Sequence, residues 1–354
     1  MSKQAKLKGV IIGVGKAVNS GAKGGGHQIG YMHGKALKAH NTIQLVAGAD
    51  ISAENLKAFQ DKFEVPGGYT DYREMLAKEK PDVVAICTYM GLHRQMIEDS
   101  IAAGVKMICC EKPFVNSIAD IRAIEKLAED NHVKIVIAHI RRYFKVFQKA
   151  RDIFQSGIMG KPYACIAGID GWDLSEWGGH WIDMFRFFNN DIPVRHVFGQ
   201  VRTRDLRGYG HAMEDHAIAY FEFENGCRGI LDGGRQMSDG LMTLIGSEGM
   251  MKIHNENSME WMTPKGRETY SHEWIENGLD PYAVAWDRMY TDLVEWHKGG
   301  AMPILGLPTT AKSCETTLAA YLSAVRTDRV DIPAHSDSLE FPVEILARRQ
   351  KEKA

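Results

Sequence analysis

Apolar runs of strand length alternate with helix-like segments over the first 140 residues of the chain. The runs include LKGVIIGVG (7–15), PDVVAICT (81–88), VKMICC (105–110) and VKIVIAHI (133–140). Segment 28–40 has helical periodicity, with Ile29, Met32, Ala36 and Leu37 on one face, and Ser52 is a predicted N-cap of the next helix. Strands that are apolar throughout and alternate with helices predict a parallel sheet covered on both faces.

The pattern changes after about residue 143. Alternating apolar and polar segments follow, and the turn sequences ENG (224–226) and SEG (247–249) favour antiparallel hairpins. Segments 281–300 and 309–328 have helical character. We predict an α/β domain over residues 1–142 and a second, α+β domain with an open, mostly antiparallel sheet over residues 143–354.

A glycine fingerprint follows the first predicted strand, but it is interrupted. Gly13 and Gly15 stand where a dinucleotide-binding loop needs them, and the third glycine is Gly30, in the first turn of the following helix. Asp50 lies twenty residues after Gly30 and ends the second strand, as the fingerprint's ribose-binding acid does. Helix onset and acid spacing therefore predict a Rossmann-type site with an insertion at 16–29.

The acid and the insertion bear on the cofactor. A carboxylate at Asp50 favours NAD over NADP, because it would repel a 2′-phosphate. The insertion carries Lys16, Lys23 and His27. Two interpretations of it stay open: a tolerated surface loop, or a flap over the pyrophosphate or an oligomer contact.

Composition excludes several classes of function. The chain has 354 residues, 44% of them hydrophobic and 25% charged, with a net charge of −2, which favours neither nucleic acid nor a membrane as partner. No apolar run approaches the length of a membrane span. Six cysteines without a C-x-x-C pair predict reduced thiols in the cytoplasm. HAMEDH (211–216) continues as a strand, so we expect no metal site.

A family resemblance covers nearly the whole chain. CCEKPFVNS (109–117) places Glu-Lys-Pro at the end of a parallel strand, and YMHGKAL (31–37), ICTYMGLH (86–93), IRRYF (140–144), GGHWID (178–183) and GSEG (246–249) follow the same family order. In these motifs the chain resembles the glucose–fructose oxidoreductase, inositol dehydrogenase and MocA family of oxidoreductases. The proline expected after Thr88 is replaced by Tyr89.

The resemblance implies two catalytic residues, Lys112 and His180. An ammonium at a sheet edge suits an oxygen that develops alkoxide character, and an imidazole suits proton transfer near neutral pH. The resemblance also implies a cis peptide bond before Pro113. Glu176 stands where relatives carry aspartate, and Asp183 is the fallback partner of His180.

The resemblance extends the site to cofactor and substrate contacts. The expected cofactor-binding residues are Gly13, Gly15, Ile29, Gly30, Asp50, Thr88, His93, Glu111 and Lys112. The expected substrate-binding residues are His139, Arg142, Tyr143, Trp177 and Trp181, with Trp172 in the same tryptophan-rich segment. Aromatic faces pack well on the C–H surface of sugars.

These residues predict an NAD-dependent oxidoreductase that interconverts a secondary alcohol and a ketone on a sugar, an inositol or a glycoside. Oxidation of a glucoside at C3 is one candidate reaction. An NAD-binding sensor of a sugar pathway without catalysis and a reductase of non-sugar substrates remain the alternatives. The resemblance also implies a homo-oligomer, a dimer or a tetramer.

Overall fold

The computed structural model of the protein describes residues 5–16, 28–169, 173–233 and 241–352. Residues 17–27 of the predicted insertion, including Lys23 and His27, lie outside the described residues, as does Trp172. The chain divides into two compact units. Unit 1 consists of Met1–Phe114, Ala123–Ala138 and Tyr282–Leu307, and unit 2 of Val115–Arg122, His139–Pro281 and Pro308–Ala354.

A parallel sheet of six strands is built from the apolar runs of unit 1, in the order β3-β2-β1-β4-β5-β6. Its strands are β1 (Leu7–Ile12), β2 (Ile43–Ala49), β3 (Gly67–Tyr69), β4 (Val83–Ile86), β5 (Met107–Cys110) and β6 (Lys134–Ile137). Ile12 is in register with Ile86, which is in register with Cys110. Gly13, Cys87 and Glu111 therefore follow three neighbouring strands at one edge, where open parallel sheets bind ligands.

Helices connect these strands. They are α1 (Ile29–Ala39), α2 (Ala53–Phe63), α3 (Tyr72–Glu79), α4 (Met90–Ala102) and α5 (Ile118–Asp130), and α8 (Pro281–His297) returns late in the chain. The predicted N-cap at Ser52 is confirmed, because its side chain accepts from the backbone N–H of Asn55. The α/β prediction for this part of the chain is confirmed as well.

The buried face of α1 differs from the predicted one. Its buried residues are Gly30, Tyr31, His33, Gly34 and Leu37, whereas Ile29, Met32 and Ala36 are only partly buried. Small residues at two of these positions bring the helix close to its neighbours, and His33 finds buried polar partners. A periodicity argument based on apolar residues alone cannot find such a face.

A nine-stranded sheet organises unit 2, in the order β14-β13-β12-β11-β7-β10-β9-β8-β15. Its strands are β7 (Pro162–Ile169), β8 (Val194–Gly208), β9 (His211–Phe223), β10 (Arg228–Gly233), β11 (Met242–Gly246), β12 (Met250–Asn255), β13 (Ser258–Thr263), β14 (Gly266–Ser271) and β15 (Val330–Asp331). Neighbouring strands are antiparallel except β7 and β10. The predicted ENG and SEG hairpins join β9 to β10 and β11 to β12.

The helices of unit 2 carry several candidate site residues. They are α6 (Lys145–Gln155), α7 (Gly179–Phe188), α9 (Leu307–Arg326) and α10 (Pro342–Lys351). A 3₁₀ turn (Ile140–Tyr143) precedes α6, and a π-helical turn (Leu174–Gly178) leads directly into α7. Such π turns occur frequently at functional sites.

The division between the units is not a single cut in the sequence. The longest segment of unit 2 begins at residue 139, three residues before the predicted boundary at 142. Residues 282–307 then belong to unit 1 again. In the part of the chain that the structure describes, no helix combines the length and apolar character needed to cross a membrane. All six cysteines are buried free thiols.

Candidate active site

A cleft of about 360 Å³ lies at the carboxyl edge of the unit 1 sheet. Gly13, Gly15, Asp50 and Thr88, four of the expected cofactor-binding residues, contribute to its lining, together with Lys16 of the insertion. The structure adds lining residues that the sequence did not predict at the cofactor: Ile51, Ser52, Asn55, Tyr72, Leu92 and Met96. Tyr89, which departs from the expected proline, also lines the cleft and is 39% exposed.

The glycines of the interrupted fingerprint are sterically required. Gly13 has a φ of +85°, and a Cβ there would lie 2.7 Å from the side chain of Thr88. A Cβ on Gly30 would lie 2.4 Å from the carbonyl oxygen of Val14. These close approaches of helix α1 and the loop are what the fingerprint's glycines allow, so the assignment of Gly30 as the third glycine fits the packing.

Asp50 is held in place at the edge of the cleft. Its carboxylate accepts from the backbone N–H of Gly15 at 2.8 Å and from the backbone N–H of Ser52 at 2.9 Å. A carboxylate fixed in this way, next to a glycine turn and a helix N-terminus, has the chemistry to accept hydrogen bonds from ribose hydroxyls. The residues of this cleft therefore fit an adenine dinucleotide.

Lys112 follows β5 at the same sheet edge, and the Lys112–Pro113 peptide bond is cis, as the resemblance implies. Its side chain is partly exposed. Its neighbour Glu111 was expected to bind the cofactor, but it is 4% exposed and both carboxylate oxygens are engaged. Oε1 accepts from His33 Nε2 at 2.9 Å, and Oε2 accepts from the backbone N–H of Lys112 at 3.1 Å.

His93 also differs from its expected role as a cofactor contact. The side chain is fully buried, with Nδ1 at 2.8 Å from the carbonyl oxygen of Phe114 and Nε2 at 2.9 Å from the carbonyl oxygen of Thr88. The buried His93 ring thus links Thr88, in the wall of the cleft, to Phe114, in the segment after Lys112. Its contribution to the site is structural support.

His180 lies in the first turn of α7, within unit 2. Its Nε2 is 3.1 Å from Nη1 of Arg141, a residue that the sequence analysis did not single out. Because a guanidinium only donates hydrogen bonds, Nε2 must accept, and the ring is neutral with its proton on Nδ1. This is the form of imidazole that can take up a proton.

Aromatic rings surround the same pair. The guanidinium of Arg141 lies 5.6 Å from the ring of Trp177 and 5.7 Å from the ring of Trp181, within cation–π range. Nε of Arg141 donates to the Glu256 carboxylate at 2.7 Å, and this bond holds the guanidinium group in place. Trp181 is buried at 5% exposure, whereas Trp177 is partly exposed. Trp177 is therefore the better placed of the two to meet a ligand.

Arg142 and Asp183 form a buried ion pair. Two guanidinium nitrogens of Arg142 donate to the Asp183 carboxylate at 2.8 and 2.9 Å, and Arg142 also pairs with Asp191. Asp183 accepts in addition from Ser313 Oγ at 2.7 Å. Burial is the largest single effect and would raise the pKa of Asp183, but the charges of Arg142 and His139 and the hydrogen bonds from Arg142 and Ser313 together lower that pKa. Both side chains are fully buried, so neither fits its predicted role as a substrate or proton-transfer contact.

His139 and Tyr143 flank this pair at the 3₁₀ turn. His139 is 5% exposed, with Nδ1 at 3.8 Å from the carboxylate of Asp183, and its ring lies 6.2 Å from that of His180. Tyr143 is partly exposed. Of the residues predicted at this turn, Tyr143 thus retains access to solvent.

Family models match both parts of the chain. Residues 7–139 match the "Oxidoreductase family, NAD-binding Rossmann fold" model of GFO/IDH/MocA, and residues 147–252 match the GFO/IDH/MocA C-terminal domain. The chain belongs to this family. This is the glucose–fructose oxidoreductase, inositol dehydrogenase and MocA (Gfo/Idh/MocA) family that the sequence predicted. The predicted family and the predicted NAD-binding Rossmann domain are thereby confirmed, and the protein is an oxidoreductase.

Individual relatives span most of the chain. Inositol 2-dehydrogenase of Rhizobium meliloti is 31% identical over 261 residues, which cover 68% of this chain and 78% of the relative. D-apiose dehydrogenase of Rhizobium rhizogenes is 24% identical, covering 93% and 98%. The fold is similar to that of an Agrobacterium radiobacter oxidoreductase crystallised with NAD+, L-tartaric acid and magnesium, at a TM-score of 0.75 and 21% identity, covering 93% and 99%.

Glu176, which stands where the resemblance implied an aspartate, has a different neighbour from the one expected. Its Oε1 lies 3.9 Å from Nε2 of His211, and its backbone N–H donates to Asp173 at 2.7 Å. These contacts tie the residue to the π turn. They do not support its predicted role as the orienting partner of His180.

A cluster of buried acids anchors that π turn. Glu214 Oε1 accepts from the backbone N–H of Leu174 at 2.6 Å and from the hydroxyl of Tyr321 at 2.8 Å, and its Oε2 has no hydrogen-bond partner among the described residues. Burial, and then the charge of Asp173, raise the pKa of Glu214 to about 7. Burial, and then the charge of Glu176, raise the pKa of Asp173 to about 6.

Replacing Glu214 by glutamine is expected to stabilise the protein at high pH. An acid whose pKa is raised by folding stabilises the fold at low pH and loses that contribution as pH rises through the folded pKa. Glu214→Gln keeps the acceptor for Leu174 and removes the buried charge, so the free energy of unfolding at pH 8 should rise by about 1–3 kcal/mol. At pH 5 the change should be small. Urea denaturation at both pH values measures it.

Glu344→Gln serves as a control of opposite sign. Burial alone would raise the pKa of Glu344, but the hydrogen bonds from Arg207 and the backbone of Ala212 and the charge of Arg207 together lower that pKa. This variant should therefore lose stability at pH 8. A loss of stability at pH 8 in Glu214→Gln itself would contradict the cluster's assigned charge state.

Among the described residues, no group of three or more histidine, cysteine, aspartate or glutamate side chains is arranged to hold a metal ion. The HAMEDH segment lies in β9, as predicted, and His216 Nε2 faces Asp232 at 3.2 Å.

Proposed function

We propose that the protein is an NAD-dependent dehydrogenase that interconverts a secondary alcohol and a ketone on a sugar, an inositol or a glycoside. The observation that carries the proposal is the place of Lys112 in the sheet: it comes two residues after the end of β5, at the carboxyl edge where Gly13 and Cys87 follow β1 and β4 and line the nucleotide cleft. NAD, when bound, supplies the hydride acceptor for such a reaction.

Lys112 has the role of steadying the reacting oxygen. An ammonium group donates hydrogen bonds and favours the alkoxide form of a hydroxyl that is losing its proton. Two hydrogen bonds hold the backbone around Lys112. The Glu111 carboxylate accepts from the backbone N–H of Lys112, and His93 contacts the carbonyl oxygen two residues later. Holding the backbone on both sides of the lysine limits where its ammonium can reach, which reduces the reorganisation needed to stabilise developing charge.

His180 has the role of proton acceptor. Its neutral ring accepts at Nε2 from Arg141, so a substrate hydroxyl that takes the place of this donor can give its proton to the same nitrogen. In the direction of ketone reduction, the imidazolium returns the proton. Trp177 offers an aromatic face beside this ring, at 5.7 Å between centroids.

The substrate class rests on these aromatic and polar groups. Trp177 and Tyr143 are partly exposed and suit the C–H faces and hydroxyls of a carbohydrate. The inositol and D-apiose dehydrogenases to which the chain is similar support a polyol or sugar substrate. Oxidation of a glucoside at C3 is the specific reaction that we propose within this class.

A substrate panel tests the function. The purified protein is mixed with NAD or NADP and with inositols, aldoses, uronates, methyl and aryl glucosides, or keto-sugars, and absorbance of the reduced nicotinamide is followed. We expect turnover with NAD in preference to NADP, because Asp50 faces the cleft, and with at least one polyol or glycoside.

The same panel distinguishes the alternatives. Tight binding of NAD and of a sugar without turnover would favour a sensor. No turnover with any member of the panel, together with turnover of a simple ketone or secondary alcohol added to it, would favour a reductase of non-sugar compounds. Either outcome would contradict the proposed function.

We further propose a homo-oligomer in the cytoplasm. Large apolar side chains are exposed on strands of the nine-stranded sheet, including Tyr163 at 48%, Phe198 at 46% and Met262 at 44%. Burial of such residues is a common source of stability in symmetric assemblies. Light scattering of the purified protein measures the assembly state.

A further inference from the structure

A buried polar chain leads from helix α8 to the backbone of Lys112. The hydroxyl of Tyr290 lies 2.5 Å from Nδ1 of His33, whose Nε2 lies 2.9 Å from Glu111 Oε1. The other oxygen of Glu111 accepts from the backbone N–H of Lys112 at 3.1 Å. Tyr290 and His33 are both fully buried. None of these three groups contributes to the lining of the nucleotide cleft.

The direction of each hydrogen bond follows from the chemistry of the partners. Burial raises the pKa of Tyr290 well above its ordinary value, so its hydroxyl stays protonated and can donate to Nδ1 of His33. The Glu111 carboxylate can only accept, so Nε2 of His33 donates to it and Nδ1 is the acceptor for the hydroxyl of Tyr290. Tyr290 thus selects the tautomer of His33 that can hold a carboxylate.

We propose that His33 is a positioning residue for Lys112, acting through Glu111, with Tyr290 orienting it. This inference rests on the proposed function, because it assigns His33 a role in the reaction that Lys112 is proposed to serve. Without His33, Glu111 Oε1 would be a buried carboxylate oxygen that has lost its partner, which is costly. The carboxylate would rotate or draw in water, and its hold on the N–H of Lys112 would weaken.

Three variants test the chain. His33→Leu removes both hydrogen bonds and keeps apolar volume. His33→Gln can restore both, since an amide donates through nitrogen and accepts through oxygen. Tyr290→Phe removes only the hydroxyl that orients the ring. The matched control is His40→Leu, because His40 is also a buried histidine at the end of α1 and contacts α8 through Thr291 at 3.2 Å, without touching Glu111.

The expected result is a loss confined to kcat. For His33→Leu we expect kcat to fall about 10- to 100-fold, because small displacements of a reacting group have effects of this size. The KM for the polyol and the Kd for NAD should change less than about threefold. His33→Gln should recover most of kcat, and Tyr290→Phe should lie between the two. His40→Leu should lose stability but keep kcat.

A second readout does not depend on activity. The hydrogen bond to Glu111 slows deuterium exchange of the Lys112 backbone N–H, so mass spectrometry of a peptide spanning residues 109–117, fragmented to resolve this amide, reports the contact. In the protein without cofactor, His33→Leu should speed exchange in this peptide at least about tenfold, while His40→Leu should not.

The outcomes separate the two proposals. Unchanged exchange and unchanged kcat in a folded His33→Leu variant would overturn the positioning role. Equal loss of kcat in His33→Leu and His40→Leu, without rescue by glutamine, would also overturn it, because that pattern indicates packing alone. A wild-type protein without dehydrogenase activity would contradict the proposed function, while the exchange measurement would still decide whether His33 holds this segment. Should His33→Leu not fold, Tyr290→Phe and His33→Gln decide by the same two readouts.

Discussion

Lys112→Ala is expected to lower kcat by about 100- to 1,000-fold, the range observed when one preorganised donor to a developing oxyanion is removed. The reason is the position of the lysine after β5, at the same carboxyl edge of the sheet at which Gly13 and Thr88 line the nucleotide cleft. The loss should appear in kcat and in kcat/KM alike, since the ammonium interacts most strongly when the oxygen carries negative charge. Steady-state kinetics with the best substrate of the panel measures it.

Two controls accompany this variant. Lys106→Ala removes an exposed lysine just before the same strand, whose ammonium donates to the carbonyl of Asn131 at 3.0 Å, and kcat should be unaffected. The Kd for NAD of Lys112→Ala, measured by calorimetry, should stay within about threefold of wild type, because the loss concerns the transition state. Unchanged turnover in Lys112→Ala would remove the central support for a dehydrogenase.

His180→Ala is expected to lower kcat by about 100- to 10,000-fold, the range typical of a general base. The neutral ring accepts at Nε2 from Arg141 and can therefore take up the hydroxyl proton of a substrate. Alanine has no basic group that could do so. The pH dependence of kcat/KM should change as well, because the limb that reports ionisation of the base should disappear. The rates are measured from pH 5 to pH 9.

Chemical rescue makes this test specific. Added imidazole should restore part of the lost rate in His180→Ala, in proportion to its neutral form, if the missing function is proton transfer. His196→Asn, a change of a partly buried histidine on β8, should keep wild-type kinetics and serves as the control. A His180→Ala variant that keeps full activity, or one whose pH profile matches wild type, would exclude the assigned role.

Replacing Arg142 or Asp183 should lower the stability of the fold, in contrast to the replacements of Lys112 and His180, which should lower kcat. Their ion pair is fully buried, and removal of one partner leaves the other charge without compensation. Both residues therefore belong to the framework that carries the 3₁₀ turn and α7. The family resemblance placed them among the expected site residues, and only their contacts revealed what they support.

Much of unit 1 could be predicted from the sequence because its signals are local. Continuous apolar runs, the spacing of Gly13, Gly15, Gly30 and Asp50, and the N-cap at Ser52 each depend on neighbours along the chain. The insertion did not hide the fingerprint, since helix onset and acid spacing are set independently of loop length. The hairpin turns of unit 2 were predictable for the same reason.

The partners of buried polar side chains could not be predicted in this way. His33 meets Tyr290, 257 residues away, and Glu214 meets Tyr321, 107 residues away. No periodicity links such positions, because long-range pairing is decided by how helices and sheets pack. For the same reason the sequence missed Arg141 as the partner of His180 and expected His93 and Glu111 at the cofactor.

The sequence by itself determined the type of each unit, the fingerprint of the nucleotide site and the two residues proposed for catalysis. These follow from backbone conformation and from motifs in which neighbouring residues act together. Only the tertiary structure decided which polar groups are buried, which acids carry raised pKa values, and which side chains hold Lys112 and His180. The physical reason is that a buried polar group is defined by the partner that satisfies it, and that partner comes from elsewhere in the chain.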